Sequence, residues 1–155
     1  MTSRNNDTGF TLLEVLIALC VLAIGMLGVG MMLLESVRAS RSALHRTAAV
    51  ALAADLGERI RANRAAGDAY ALGAGTTAAA PAGECAVGDA CGPSEVAALD
   101  LYQWQQDVLA ALPAAVASVQ VAPVSGLPAN AYAISIRWAQ PGDAEAAAFV
   151  LRVQA

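Results

Sequence analysis

The chain has 155 residues, a hydrophobic fraction of 57%, an aromatic fraction of only 5% and a formal net charge of −4. That length holds one modest domain plus an anchor, and so few aromatics exclude a heavily packed core. There is no lysine, and after residue 64 only Arg137 and Arg152 stand among an excess of acids, which argues against phosphate or nucleic-acid binding by the distal part.

The chain opens on a short polar stretch, residues 1–9, reading MTSRNNDTG. Residues 15–34 then read VLIALCVLAIGMLGVGMMLL, without a charge. As a helix such a run covers about 30 Å, the thickness of a bilayer's hydrocarbon core. A cleaved secretory signal would have a shorter apolar core and a small-residue cleavage site after it, and neither is present. A lipoprotein signal ending at Cys20 would require a small residue where bulky Leu19 stands. A plain single-span anchor fits the block equally well. The arginines Arg38, Arg41 and Arg46 follow the span and only Arg4 precedes it, which taken alone favours a cytoplasmic C-terminus.

The approach to the block, Thr8-Gly9-Phe10-Thr11-Leu12-Leu13-Glu14, resembles the type IV pilin signature. The resemblance implies that prepilin peptidase cuts between Gly9 and Phe10 and that the new terminal Phe10 is N-methylated. It also implies a cytoplasmic leader and an extracytoplasmic head, against the arginine distribution. Glu14 carries a charge into an apolar segment, at a cost of about 2.5–3.5 kcal/mol on insertion scales. Helical side chains lean toward the N-terminus, so Glu14 is within reach of the ammonium that cleavage creates on Phe10, or of that group on a neighbouring subunit. In that family the glutamate at this place is associated with docking one subunit against the previous one. The alternative is a carboxylate that snorkels at headgroup level. Gly25, Gly28 and Gly30 suit close helix packing or local melting, or are merely tolerated in a membrane helix.

Beyond residue 34 the helical period persists, with Leu44, Ala48, Leu52, Leu56 and Ile60 as the expected apolar stripe and Val50 and Ala51 alongside. Asp55 and Arg59 are spaced to pair. The lone His45 has no second ligand nearby and is expected to be a solvated helix residue. Gly67 is the first breaker, so one helix is expected from about Phe10 to Ala66. Its two parts are 10–34, for membrane or filament core, and 35–66, an amphipathic continuation. The string Ala54-Asp55-Leu56-Gly57-Glu58-Arg59-Ile60-Arg61-Ala62-Asn63-Arg64 is similar to one in the minor pilins called type IV pilus modification protein PilV.

Residues 67–155 are expected to form the head. Residues 67–92, rich in Gly, Ala and Thr, read as a loop holding Cys85 and Cys91. No His or second cysteine pair accompanies them, which argues against zinc. In an oxidising compartment a disulfide is the expectation, with two free thiols as the alternative. Cys20 is left over as an unpaired packing residue. A second helix opens at Pro93-Ser94, with Ser94 as N-cap, and stops before Pro113. Leu99, Tyr102, Gln106 and Leu109 lie at helical spacing around Trp104. The string from Pro93 to Trp104, PSEVAALDLYQW, again resembles the PilV family. Three strands follow at 118–121, 132–138 and 148–153, with Pro141-Gly142-Asp143 turning between the last two.

The fold class expected is α+β, pilin-like: a long N-terminal helix, one further helix and a short antiparallel sheet. No catalytic grouping, phosphate loop or metal-ligand cluster is evident, so neither enzyme activity nor a cofactor is expected. The resemblance implies a minor pilin that starts pilus assembly, with links to adhesion and twitching motility. Its expected partners are other minor pilins, the major pilin, prepilin peptidase, the inner-membrane assembly platform and membrane lipid, and no nucleic acid. The expected location is the inner membrane, single-pass with a periplasmic head, and then the pilus near its tip. A type II secretion pseudopilin and a single-span periplasmic binding module are the competing readings.

Overall fold

The structure is a computed structural model, described here over residues 11–80, 91–125, 129–140 and 145–155. Two compact units emerge, Met1–Arg41 and Ser42–Ala155. Helix α1, Leu12–Ala62, contributes to both.

In the first unit α1 is bare. Leu12–Leu34 present nearly every side chain to the surroundings, Leu12 at 87% and Met31 at 76% exposure. A window within α1 has mean hydropathy 2.7 and none of it is buried, so the helix is long and apolar enough to cross a membrane. Cys20 is free and exposed, with no packing role inside this chain.

The second unit is an α+β head. Its α1 segment is followed by a 3₁₀ segment, Arg64–Tyr70, then α2, Pro93–Ala111, and the strands β1, Val116–Pro123, β2, Asn130–Trp138, and β3, Ala147–Gln154. The α-helix thus ends four residues before the expected Ala66. Asn63 leaves helical geometry, and Gly67 bends the backbone at φ 52°, a left-handed value suited to glycine.

Helix α2 is capped by Gly92, not by the expected Ser94. Pro93 takes the first helical position, where its fixed φ fits and its missing N–H leaves nothing unsatisfied. Glu95 Oε2 accepts from the Gly92 N–H at 2.8 Å, closing the first turn. At the other end Leu112 is extended, as the residue before Pro113 must be.

The sheet has order β1-β2-β3, all antiparallel. Each strand runs longer than expected, because backbone pairing continues through flanking Ala, Asn and Gln that carry no alternation signal. The alternation itself holds: Tyr132, Ile134, Ile136 and Trp138 are buried and Arg137 is exposed. The expected turn at 141–143 lies outside the described residues.

The expected α1 stripe largely holds, since Leu56 and Ile60 are buried and Ala48 and Leu52 pack against the core, but α2 turns a different face inward from the one expected. On α1 the buried residues are Ala49, Ala53, Leu56, Gly57 and Ile60, while Leu44 and Val50 are exposed. Small residues face the sheet because it comes close: a Cβ on Gly57 would stand 3.2 Å from Val153 Cγ2. On α2 the buried stripe is Ala97, Leu101, Trp104, Gln105 and Val108, while Leu109 and Gln106 are exposed. Trp104 sets that rotation, since its indole is fully buried and its N–H donates to the Leu52 carbonyl at 2.9 Å. Tyr70 and Tyr132 meet edge to face, with ring centroids 6.5 Å apart.

His45 is also not the solvated residue expected: it is half-buried, and its Nδ1, like Trp138 Nε1, is buried without a hydrogen-bond partner among the described residues. Nearby, the Gln140 amide donates to the Ser42 hydroxyl, joining the end of β2 to α1.

Candidate functional site

Two sites emerge from the residues that the sequence singles out. The first is the start of α1. Thr11 precedes the helix, and its Oγ1 accepts from the Glu14 N–H at 3.3 Å, beside the Thr11 carbonyl at 3.0 Å. Thr11-Leu12-Leu13-Glu14 therefore has the spacing of a capping box, in which Thr11 satisfies an orphan donor of the first turn. That pattern is visible in the sequence, overlapping the pilin-like signature. Glu14 is exposed, and its negative charge in the first turn suits the helix dipole. Its proposed partner, the Phe10 amine, and the cleavage position Gly9 lie outside the described residues. Gly25, Gly28 and Gly30 have open space where a Cβ would stand, so no packing inside this chain demands them.

The second site is a polar lock between the α1 string and the α2 string. Arg59 is the hub. Its Nε donates to Asp55 Oδ2 at 2.9 Å along the helix, and its Nη1 donates to Asp100 Oδ1 at 3.3 Å on α2. Tyr70 OH donates to the other Asp100 oxygen at 2.7 Å. Asn63 Nδ2 donates to the Pro93 carbonyl at 2.8 Å and to Tyr70 OH at 3.3 Å. Asp100 thus accepts one bond on each oxygen, from a cation and from a phenol. Burial works against the Arg59 charge, but Asp55 and Asp100 outweigh it and hold its pKa above the ordinary value. Burial, with the bond to Asp100, pushes the Tyr70 phenol up. The Asp55–Arg59 spacing was legible beforehand. The partners Asp100, Tyr70 and Pro93 were not, because they lie far along the chain.

A third polar junction holds the segment after the 3₁₀ turn. Gln105 is buried, accepts from the Ala78 N–H at 2.7 Å and donates to the Thr76 carbonyl at 2.8 Å. It ties an otherwise irregular stretch to α2. Of the expected disulfide pair, Cys91 is described and Cys85 lies outside the described residues. Among the described residues no cluster of three or more His, Cys, Asp or Glu has the makings of a metal site.

Two family models match the chain. One, described as a prokaryotic N-terminal methylation motif, covers residues 4–30. The other, described as type IV pilin Tt1218, covers residues 31–102. The first takes in Gly9, Phe10, Thr11 and Glu14. The second takes in the whole lock, Asp55, Arg59, Asn63, Tyr70, Pro93 and Asp100, and stops before the sheet. No curated protein and no solved structure matches. Both matches are to pilin-type models, and a long apolar N-terminal helix, one further helix and a small three-stranded antiparallel sheet fit a type IV pilin-like α+β fold.

Proposed function

We propose that this chain, whose N-terminus and stalk match type IV pilins, is a minor pilin of the PilV kind that helps start pilus assembly. Prepilin peptidase cuts between Gly9 and Phe10, and Phe10 is then N-methylated. Before assembly the apolar half of α1 sits in the inner membrane with the head on the periplasmic side. Afterwards it packs with other pilins, near the pilus tip. The observation that carries this reading is the bare apolar first half of α1, which the methylation-motif match largely spans. Among the described residues nothing covers it, and lipid or neighbouring helices are what such a surface requires.

Glu14 is the docking residue in this scheme. The Phe10 amine released by cleavage, on this subunit or the next, offsets its charge once water is excluded. In the head, Cys85 and Cys91 form a disulfide across the loop. That pairing is supported by Cys91 being a bonded cysteine while Cys20 is free. A short closed loop of this kind contributes roughly 2 kcal/mol on the chain-entropy model.

Mass spectrometry of the N-terminus from native membranes tests the proposal. A chain beginning at methylated Phe10 is expected, and an intact Met1 would overturn it. Recovery with secretion pseudopili, in place of surface pili, would move the chain to that sister machinery.

A further inference from the structure

Strand β3 is an open edge, and its hydrogen-bond phase can be worked out. Asn130 and Ala155 exchange both backbone bonds, at 3.0 and 3.1 Å. Antiparallel pairs alternate between bonded and non-bonded, so Tyr132–Val153, Ile134–Leu151 and Ile136–Phe149 are bonded pairs. The backbone groups of Ala148, Val150, Arg152 and Gln154 therefore point away from β2. The far side of the sheet confirms the phase: Val119, which faces Ile134, sends its own N–H and carbonyl outward to Leu72. That contact partly covers β1. Among the described residues, nothing pairs with the outer edge of β3.

This edge lacks the usual guards. It is eight residues long, without Pro, Gly or a bulge, and carries one charge, Arg152. Its outward residues are exposed, Val150 at 49%. Charge singles out the same surface. Arg137 and Arg152 are the only cations after residue 64, and both lie on the solvent face of the sheet. No acid stands on any of the three strands, and neither guanidinium has an ion-pair partner among the described residues. Gln120, Ala133 and Arg152 pair in one row across the sheet and help line a shallow cleft of about 630 Å³. Arg61 also borders that cleft but is already paired with Glu58.

We propose that β3 accepts an extended, acidic segment of a partner protein as a fourth strand, with a carboxylate opposite Arg152. The free backbone groups require an extended occupant, and the unpaired arginine selects an acidic one. A second copy's β3 has no carboxylate to offer. An uncleaved chain would keep the same edge, so this reading and the pilin reading fail separately.

The test uses the purified full chain in detergent and a dye-labelled, end-capped peptide of alternating Thr and Val with one central Glu. Fluorescence anisotropy should show binding, weaker by about tenfold for the same peptide with Lys in place of Glu. Val150→Pro removes an outward N–H but no bond to β2, and should abolish binding, whereas Val150→Ala should retain it. Arg152→Glu should reverse the preference to the Lys peptide, and this arm decides the matter should Val150→Pro fail to fold. Binding indifferent to Val150→Pro and to peptide charge would overturn the proposal. So would a concentration-dependent dimer of the chain that Val150→Pro dissolves and the peptide does not displace.

Discussion

Asp100 shows how much one carboxylate can hold. Its two oxygens receive Arg59 from α1 and Tyr70 from the 3₁₀ segment, so three stretches of chain meet at one side chain. Asp100→Ala takes from the part-buried Arg59 its carboxylate on α2 and from the buried Tyr70 phenol its short acceptor, and should lower stability by about 1–3 kcal/mol in a denaturant titration. The Tyr70 phenol has its pKa raised by burial first and by Asp100 second. Above pH of about 10, the ordinary phenol value, the unfolded state loses this proton while the folded state keeps it. The unfolded state then binds fewer protons, so stability falls as pH rises through that range. Tyr70→Phe should flatten the fall, as read by thermal melts at stepped pH. Glu14 belongs to the same scale. Glu14→Ala should still be cleaved but should enter pili poorly, as judged by immunoblots of sheared filaments. Thr11→Ala, which removes only the cap, should be incorporated normally; equal loss in both would assign Glu14 a merely local role.

At the scale of elements, the close approach of α1 to the sheet is the controlling fact. Gly57 sits under Val153, Leu151 and Ile134, with Ala49 and Ala53 on the same face. Gly57→Leu should cost roughly 1–3 kcal/mol, because the added carbons must displace the sheet. A measured gain in stability would mean that helix propensity outweighs the crowding. This geometry also explains why the α1 stripe gains Ala49 and Ala53 and loses Leu44. Hydrophobicity favours Leu44 and Val50 over alanine, yet close packing selects the smaller side chains. The α2 stripe was displaced for a related reason: the rotation follows the bond from Trp104 to a carbonyl 52 residues earlier, and periodicity carries no trace of it. Strand alternation was easier to read, since Tyr132, Ile134, Ile136 and Trp138 repeat at the spacing that the pleat demands.

For the molecule as a whole, what could be read locally was read well. The apolar run, the pilin-like signature and the three strands are each contiguous in sequence. The lock was half visible, through Asp55 and Arg59, and the remainder depended on contacts tens of residues apart. The family matches follow the same division, covering anchor, stalk and lock and leaving the sheet uncovered. The sheet is also where Arg137, Arg152 and the open edge lie.

The two tryptophans, buried in different layers of the head, turn it into its own optical instrument. Trp104 lies in the helix layer with its N–H bonded, whereas Trp138 lies in the sheet with its N–H unpartnered. Single-tryptophan variants, Trp138→Phe and Trp104→Phe, would report the two layers separately through the wavelength of their emission. Coincident midpoints in urea would mark helices and sheet as one cooperative unit. An earlier shift from Trp138 would mean that the sheet loosens ahead of the lock.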